Sequence, residues 1–189
     1  MMRCSTKGVL ELCEHEGIVL GPYLDSVNVW TYGVGHTAAA GGPDPAKMRK
    51  IDTRGWKGPV LEGQLAQILA LFAADLKSYE ARVNDAIKVP LKQHQFDALV
   101  SFDFNTGGIY KAKLTQAINR GDFSGDGFMG WVRPKEIIKR RMAEQALFRT
   151  GDYSANGDKI PLYDALGNGR IRFRAHLSGD NLRALGVAA

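Results

Sequence analysis

The chain has 189 residues, 44% hydrophobic and 24% charged, the make-up of a globular protein long enough to bury a core without staples. No stretch approaches the run of about 20 apolar residues that a spanning helix needs, and residues 1–17, with Arg3, Lys7, Glu11, Glu14 and Glu16, lack the apolar segment of a signal peptide or signal-anchor. A net charge of +5 draws a protein to polyanions, but no zinc-finger spacing, helix-turn-helix signature or aromatic-basic RNA motif is present, so nucleic acid is not an expected partner.

In chain order, Ser5 to Glu16 reads as a helix capped by Ser5 or Thr6, with Val9, Leu10, Leu12 and Cys13 at helical spacing and Gly17 at its end. Were Cys4 already in that helix, it would lie roughly 13 Å from Cys13 at the helical rise, too far for a disulfide, so both are expected as free thiols. Leu20 to Thr37 has strand character, with a reversal at Ser26-Val27-Asn28 where Asn28 tolerates positive φ. Residues 38–59, rich in Gly, Pro and charge, read as a long loop over one face of a site, either a lid or a neutral insertion. Leu61 to Ile87 is a long amphipathic helix ended by Pro90, with Leu65, Ile68, Leu69, Phe72, Leu76, Tyr79 and Val83 on one side. Further helices are expected over Gln93 to Phe104 (stopped by Asn105-Thr106-Gly107-Gly108), Lys113 to Arg120 and Lys135 to Arg149, the last two separated by a Gly125-Asp126-Gly127 turn. Ile160 to Arg174 reads as a hairpin turning at Gly167-Asn168-Gly169, and Leu177 to Val187 as a short terminal helix. The pattern is α+β and mainly helical, a single domain over 1–189 with a 38–59 loop insertion and a 152–189 extension.

Chemistry concentrates in Glu16, Asp25 and Thr31, separated by glycines that let the backbone fold back, and followed by Gly33-Val34-Gly35-His36. One carboxyl to protonate a leaving oxygen, one carboxylate and a means of holding water are what hydrolysis of a glycosidic bond requires. A carboxyl ending a helix among apolar neighbours is partly desolvated, which raises its pKa, whereas a carboxylate in a polar Gly-rich turn stays ionised. Glu14 and His15 are expected to face solvent, and Glu11 to be a helix-surface charge. Arg140, Arg141 and Glu144 are read as a salt-bridged helix face, Trp30, Trp56 and Trp131 as packing residues. With four histidines and no ligand cluster, neither a metal nor an organic cofactor is implied.

Glu16, Asp25, Thr31, Gly33, Gly35 and His36 match without a gap the pattern of the phage-type lysozymes, the endolysins of glycoside hydrolase family 24, which the chain resembles. Two further blocks carry the resemblance: Asp75-Leu76 through Gln95 to Gly107, and Arg140-Arg141 with Glu144, Leu147-Phe148 and Gly151. The chain departs from compact members in its longer 38–59 segment and longer tail, and lacks the N-terminal signal-anchor helix of some relatives.

The resemblance implies a lysozyme-like fold with a small N-terminal β-sheet lobe and a larger helical lobe. It implies Glu16 as general acid, Asp25 as the ionised partner and Thr31 as holder of the water in an inverting reaction. It further implies a structural His36–Asp75 pair and sugar contacts at Phe104, Asn105 and Gly107, with Thr37 and Lys113 at the rim. The substrate implied is the β-1,4 bond between N-acetylmuramic acid and N-acetylglucosamine in peptidoglycan. The role implied is host lysis by a monomeric enzyme made in the host cytoplasm and released to the wall by a holin. The alternatives are a lytic transglycosylase acting on the same bond and a catalytically silent wall-binding module.

Overall fold

Chain order in the computed structural model, which describes residues 1–185, is α1 (Thr6–Glu16), β1 (Ile18–Leu24), β2 (Trp30–Gly33), β3 (His36–Thr37), α2 (Pro59–Ala86), α3 (Gln93–Thr106), α4 (Lys113–Asn119), α5 (Ile138–Thr150), β4 (Ile160–Ala165), β5 (Ile171–Leu177) and α6 (Gly179–Ala184). The expected elements are all present to within a few residues. The Gly125-Asp126-Gly127 turn continues into a 3-10 helix over Asp126–Gly130, and another, Lys135–Ile137, leads into α5. The terminal helix is α6; Val187, placed in it from the sequence, lies outside the described residues. The described residues divide into two compact units: Met1–Leu12 with Leu76–Ser154, and Cys13–Asp75 with residues 155–185.

The first unit is helical. α3 is its centre, with every residue from Gln95 to Asp103 buried, its apolar side chains in the core and its buried Asp97, Ser101 and Asp103 each hydrogen-bonded. Phe102 meets Phe128 and Trp131 edge-on at 5.6 and 5.4 Å between ring centroids. The buried Asp97 gathers the start of the chain, accepting from Ser5 N (3.1 Å), Ser5 Oγ (2.5 Å), Gln93 Nε2 (2.9 Å) and the Tyr153 hydroxyl (2.7 Å). Ser5 in turn caps α1 by accepting from Gly8 N at 3.1 Å.

Two readings of charge are corrected in this unit. Glu11 is only 2% exposed and accepts a hydrogen bond from Ser154 Oγ at 3.5 Å, so it is a buried group rather than a surface charge. Arg140, Arg141 and Glu144 are salt-bridged, as their spacing suggests, yet the cluster is interior: Arg141 is fully buried and Glu144 is 1% exposed. Glu144 takes Arg140 on one oxygen at 3.1 Å and Arg141 on the other, while Ser101 Oγ adds a third bond at 2.7 Å. A buried charge persists when it is paired and hydrogen-bonded in this way.

The second unit holds a five-stranded sheet in the order β3-β2-β1-β4-β5. β1, β2 and β3 form an antiparallel meander, and β4–β5 is an antiparallel hairpin turning near Gly167–Gly169 as expected. The sequence reading does not contain their union: β4 lies parallel to β1, Ile18 beside Leu162 and Val19 beside Tyr163. The 38–59 insertion is tied to the same hairpin. Asp52 bridges Leu166, Thr53 N donates to Ala165 O at 3.0 Å, and Thr53 Oγ1 accepts from Ala165 N at 3.0 Å. Buried Asp164 receives Thr53 Oγ1 at 3.3 Å and Arg174 at 2.8 Å, and Arg174 also reaches the Trp56 carbonyl. Residues 51–56 are therefore an anchored strap, not a free lid.

Glu14, expected in solvent, is half-buried and accepts from Gly157 N at 2.9 Å, which binds the C-terminal segment to α1. One expectation about hydropathy also needs amending. α2, at 28 residues, is long and apolar enough to cross a membrane, with a window of mean hydropathy 1.2. Its Leu65, Ile68, Leu69, Phe72, Leu76 and Val83 are buried in the protein, however, the exposed Glu62 and Lys77 interrupt its outer side, and Arg82 is ion-paired with the buried Asp103.

Candidate active site

α1 ends on Glu16 because the chain turns left-handed at Gly17 (φ 71°), where Gly17 N still closes a helical bond to Cys13 O at 2.9 Å. A Cβ at Gly17 would lie 3.0 Å from the Tyr163 ring, so both its conformation and its close neighbour demand glycine. β1 then carries the backbone from Glu16 toward Asp25. It bulges on the way: Val19 pairs with Gly33 and Tyr23 with Thr31, so four steps on β1 are matched by two on β2. Gly21 and Pro22 fill the bulge. Pro22 has no ladder donor to lose, and a Cβ on Gly21 would meet Ala165 Cβ at 2.9 Å. Gln64 of α2 stabilises the bend by donating to Leu20 O (2.9 Å) and the Tyr32 hydroxyl (2.8 Å).

Asp25 opens the β1–β2 turn. Its Oδ1 accepts from Val27 N at 2.9 Å and Val29 N at 2.8 Å, while its backbone carbonyl accepts from Asn28 N at 3.1 Å. Asn28 adopts the positive φ of 61° that its residue type suggested. The carboxylate is thus oriented through one oxygen, and among the described residues Oδ2 takes no hydrogen bond from the protein.

Thr31 is 3% exposed and faces Tyr23 across the ladder. Strand alternation puts Tyr23, Asp25 and Thr31 on one face. The Thr31 hydroxyl donates to Val29 O at 3.1 Å, so its proton is committed and its lone pairs remain to accept. Thr37 pairs with Thr31 on the next strand and so joins the same group.

The electrostatics tie the two carboxyls together. Burial first, and then the charges of Glu16, Asp25 and Tyr163, hold the Tyr23 phenol far above its ordinary range. Tyr23 therefore stands within the field of both acids, and neither Tyr23 nor Tyr163 was singled out from the sequence. Tyr23 shares strand parity with Asp25, which is a legible signal; Tyr163 offers none, since only the β1–β4 pairing brings it near. Cys13 is fully buried, and burial followed by the charge of Glu16 pushes its thiol up to about 12. Cys4 precedes α1 instead of lying in it, and both cysteines are free. Because the Cys13 thiolate forms only as pH approaches that value, mildly alkaline thiol reagents are expected to spare Cys13 in the native protein and to modify it in denaturant. Mass spectrometry of the labelled peptides reads the result, and rapid native labelling would contradict it.

His36 and Asp75 meet as the resemblance implied. His36 Nδ1 lies 2.7 Å from Asp75 Oδ2, in a buried contact, and His36 Nε2 lies 2.7 Å from Pro43 O. A carbonyl only accepts, so Nε2 carries hydrogen, and one further proton is shared between Nδ1 and the carboxyl. Burial raises the Asp75 pKa, partly offset by His36. The pair joins α2 to β3 and, through Pro43 O, to the 38–59 insertion.

The remaining expected contacts gather in the helical unit. Phe104 is half-buried with its ring 4.9 Å from that of Tyr79, and Asn105 is exposed with its Oδ1 accepting from Arg141. Gly107 caps α3 in the left-handed conformation and accepts from Arg82 Nη2 at 2.9 Å. Lys113, the first residue of α4, is exposed. Trp131 packs on Phe102, and Trp30 lies under Lys50 at 4.2 Å, in keeping with packing roles.

A helix-terminal Glu leading into a small bulged sheet with Asp and Thr on one face, and a separate helical unit, define a lysozyme-like fold. Residues 13–144 match the model of the family described as phage lysozyme. The chain is 33% identical over 162 residues to the endolysin of Acyrthosiphon pisum secondary endosymbiont phage 1, covering 79% of this chain and 99% of that protein. It is 31% identical over 156 residues to the endolysin of Salmonella phage P22, covering 78% and 99%. Among solved structures, an endolysin from the Escherichia coli phage FAHEc1 aligns with a TM-score of 0.64 at 28% identity, over 80% of this chain and 96% of that one. The chain belongs to the phage lysozyme family. Its activity is that of a phage endolysin, degradation of bacterial peptidoglycan.

Proposed function

We propose that Glu16 is the general acid of this lysozyme, Asp25 its ionised partner and Thr31 the residue that seats the attacking water, in an inverting cleavage of the bond between N-acetylmuramic acid and N-acetylglucosamine. The observation that supports the reading is that Asp25 and Thr31 share one face of the β1–β2 hairpin, two residues apart along β1 through Tyr23, the partner of Thr31. Asp25 is fixed through Oδ1 with Oδ2 open to accept a water proton, and the Thr31 hydroxyl has spent its own proton on Val29 O. A water held by both donates its two hydrogens and keeps a lone pair for C1. Glu16 gives its proton to the leaving oxygen, and Asp25 stabilises the positive charge that develops on the sugar ring. An inverting reaction uses two carboxyls with room between them for that water, roughly 6.5–9.5 Å apart.

Phe104, Asn105, Gly107 and Lys113, with Thr37 beside Thr31, are the proposed sugar contacts. The enzyme is proposed to act as a monomer on the glycan strands, reaching the wall from the host cytoplasm through a separate holin. The test is the product. Digestion of purified peptidoglycan, followed directly by NMR, is expected to show a reducing N-acetylmuramic acid whose anomeric configuration is opposite to that of the bond cut. Retained configuration rejects inversion, and 1,6-anhydro ends rejects the use of water altogether.

A further inference from the structure

The family match ends at residue 144, and β4 and β5 lie beyond it. The hairpin nevertheless completes the sheet that carries Asp25 and Thr31, and it sets Tyr163 against Gly17, the residue following Glu16. Tyr163 pairs with Phe173 on β5, their rings edge-to-face at 5.9 Å, and Phe173 meets His176 at 4.9 Å. Through the β4–β5 register these side chains share one sheet face. On it Tyr163 is half-buried, His176 exposed, Phe173 49% exposed and Ile171 39% exposed. A lone exposed apolar side chain needs no explanation, but a row of rings continuing from a catalytic helix end does.

The hairpin is not free to turn that face inward. On its other side Asp164 is 1% exposed and binds Arg174 at 2.8 Å, with Arg172 at 3.8 Å. A one-residue slip of β5 would exchange those arginines for Phe173 and Ile171 and leave Asp164 unpaired in the interior. The exposed ring face is therefore held outward by a buried ion pair.

We propose that the β4–β5 hairpin is a second glycan-binding surface, on which the exposed Phe173 ring, supported edge-to-face by Tyr163, packs on sugars of the peptidoglycan strand beyond those at the cleavage point. The inference rests on the muramidase reading above. A pyranose carries a row of C–H groups on one face that packs on an aromatic ring, and the ring row begins beside the proposed acid, so the strand in the site and the strand on the hairpin are continuous.

Binding is measured in the Glu16→Gln background, so that capture is separated from cleavage, by sedimentation with purified sacculi. Adding Phe173→Ala or Phe173→Leu is expected to weaken binding by at least about threefold, the worth of one ring contact, and Phe173→Tyr to restore it. Because Phe173 is exposed, thermal melts of these variants are expected to superimpose. Equal binding by the Ala and Glu16→Gln proteins overturns the inference alone, as does Leu binding as well as Phe. A dimer in sedimentation velocity that Phe173→Ala dissolves also overturns it, since β5 would then be a contact between copies. Failure of even the Glu16→Gln protein to bind sacculi removes the underlying reading as well.

Discussion

Glu16→Gln is expected to lower turnover of purified peptidoglycan by about 10³-fold, within the range a single general acid supplies. Gln keeps the length and the hydrogen-bonding shape of the side chain but has no proton to deliver to the leaving oxygen. Glu16 sits at a helix end fixed by the Gly17 turn and by the strand that follows, so the variant has no reason to refold locally. Circular dichroism and melting temperature should match the parent, and capture by sacculi should persist. A variant that still clears the wall at the parental rate would falsify the acid assignment. Loss of activity together with loss of folding would point instead to a structural role for Glu16.

Glu144→Ala has the largest expected effect on stability. It leaves Arg141, fully buried, and Arg140, 9% exposed, without the carboxylate that both address, and strips Ser101 of its acceptor. Removing one partner of a buried ion pair costs about 3–5 kcal/mol, because the charge left behind cannot recover its water. For a chain of this size that is a fall of about 10 °C in melting temperature. Glu144→Gln should lose less, since its amide oxygen still accepts from one arginine. If the Ala variant melts within a degree or two of the parent, the cluster is not the keystone of the helical unit that its burial makes it.

How much of this was legible in the sequence depends on how far apart the partners lie. Glu16, Asp25 and Thr31 fall in one short stretch whose glycines and Asn28 state the turns, and the strand register then follows. The helices α2 to α5 are written in apolar spacing and in their glycine and proline stops. What stays hidden is long-range. Glu11 and Glu14 read as surface charges by local rules, because Ser154 and Gly157, which engage them, come from the far end of the chain. The spacing of Arg140, Arg141 and Glu144 announces ion pairs but cannot say whether water surrounds them. The hairpin was visible as a hairpin over 160–174; that it lies alongside β1, and so brings Tyr163 near Glu16, was not. Nor did composition reveal that the 38–59 segment is strapped down, since Thr53 finds Asp164 only after the sheet forms.

The parallel pairing of β4 with β1 has a consequence for synthesis. Until residues 160–165 leave the ribosome, one edge of β1 lacks its neighbour and Asp164 is not there to receive Thr53. A pairing of such high contact order forms late and slowly. A nascent chain that has not yet released residues 160–165 therefore carries Glu16, Asp25 and Thr31 on an incomplete scaffold, and the sheet closes only once the hairpin has emerged.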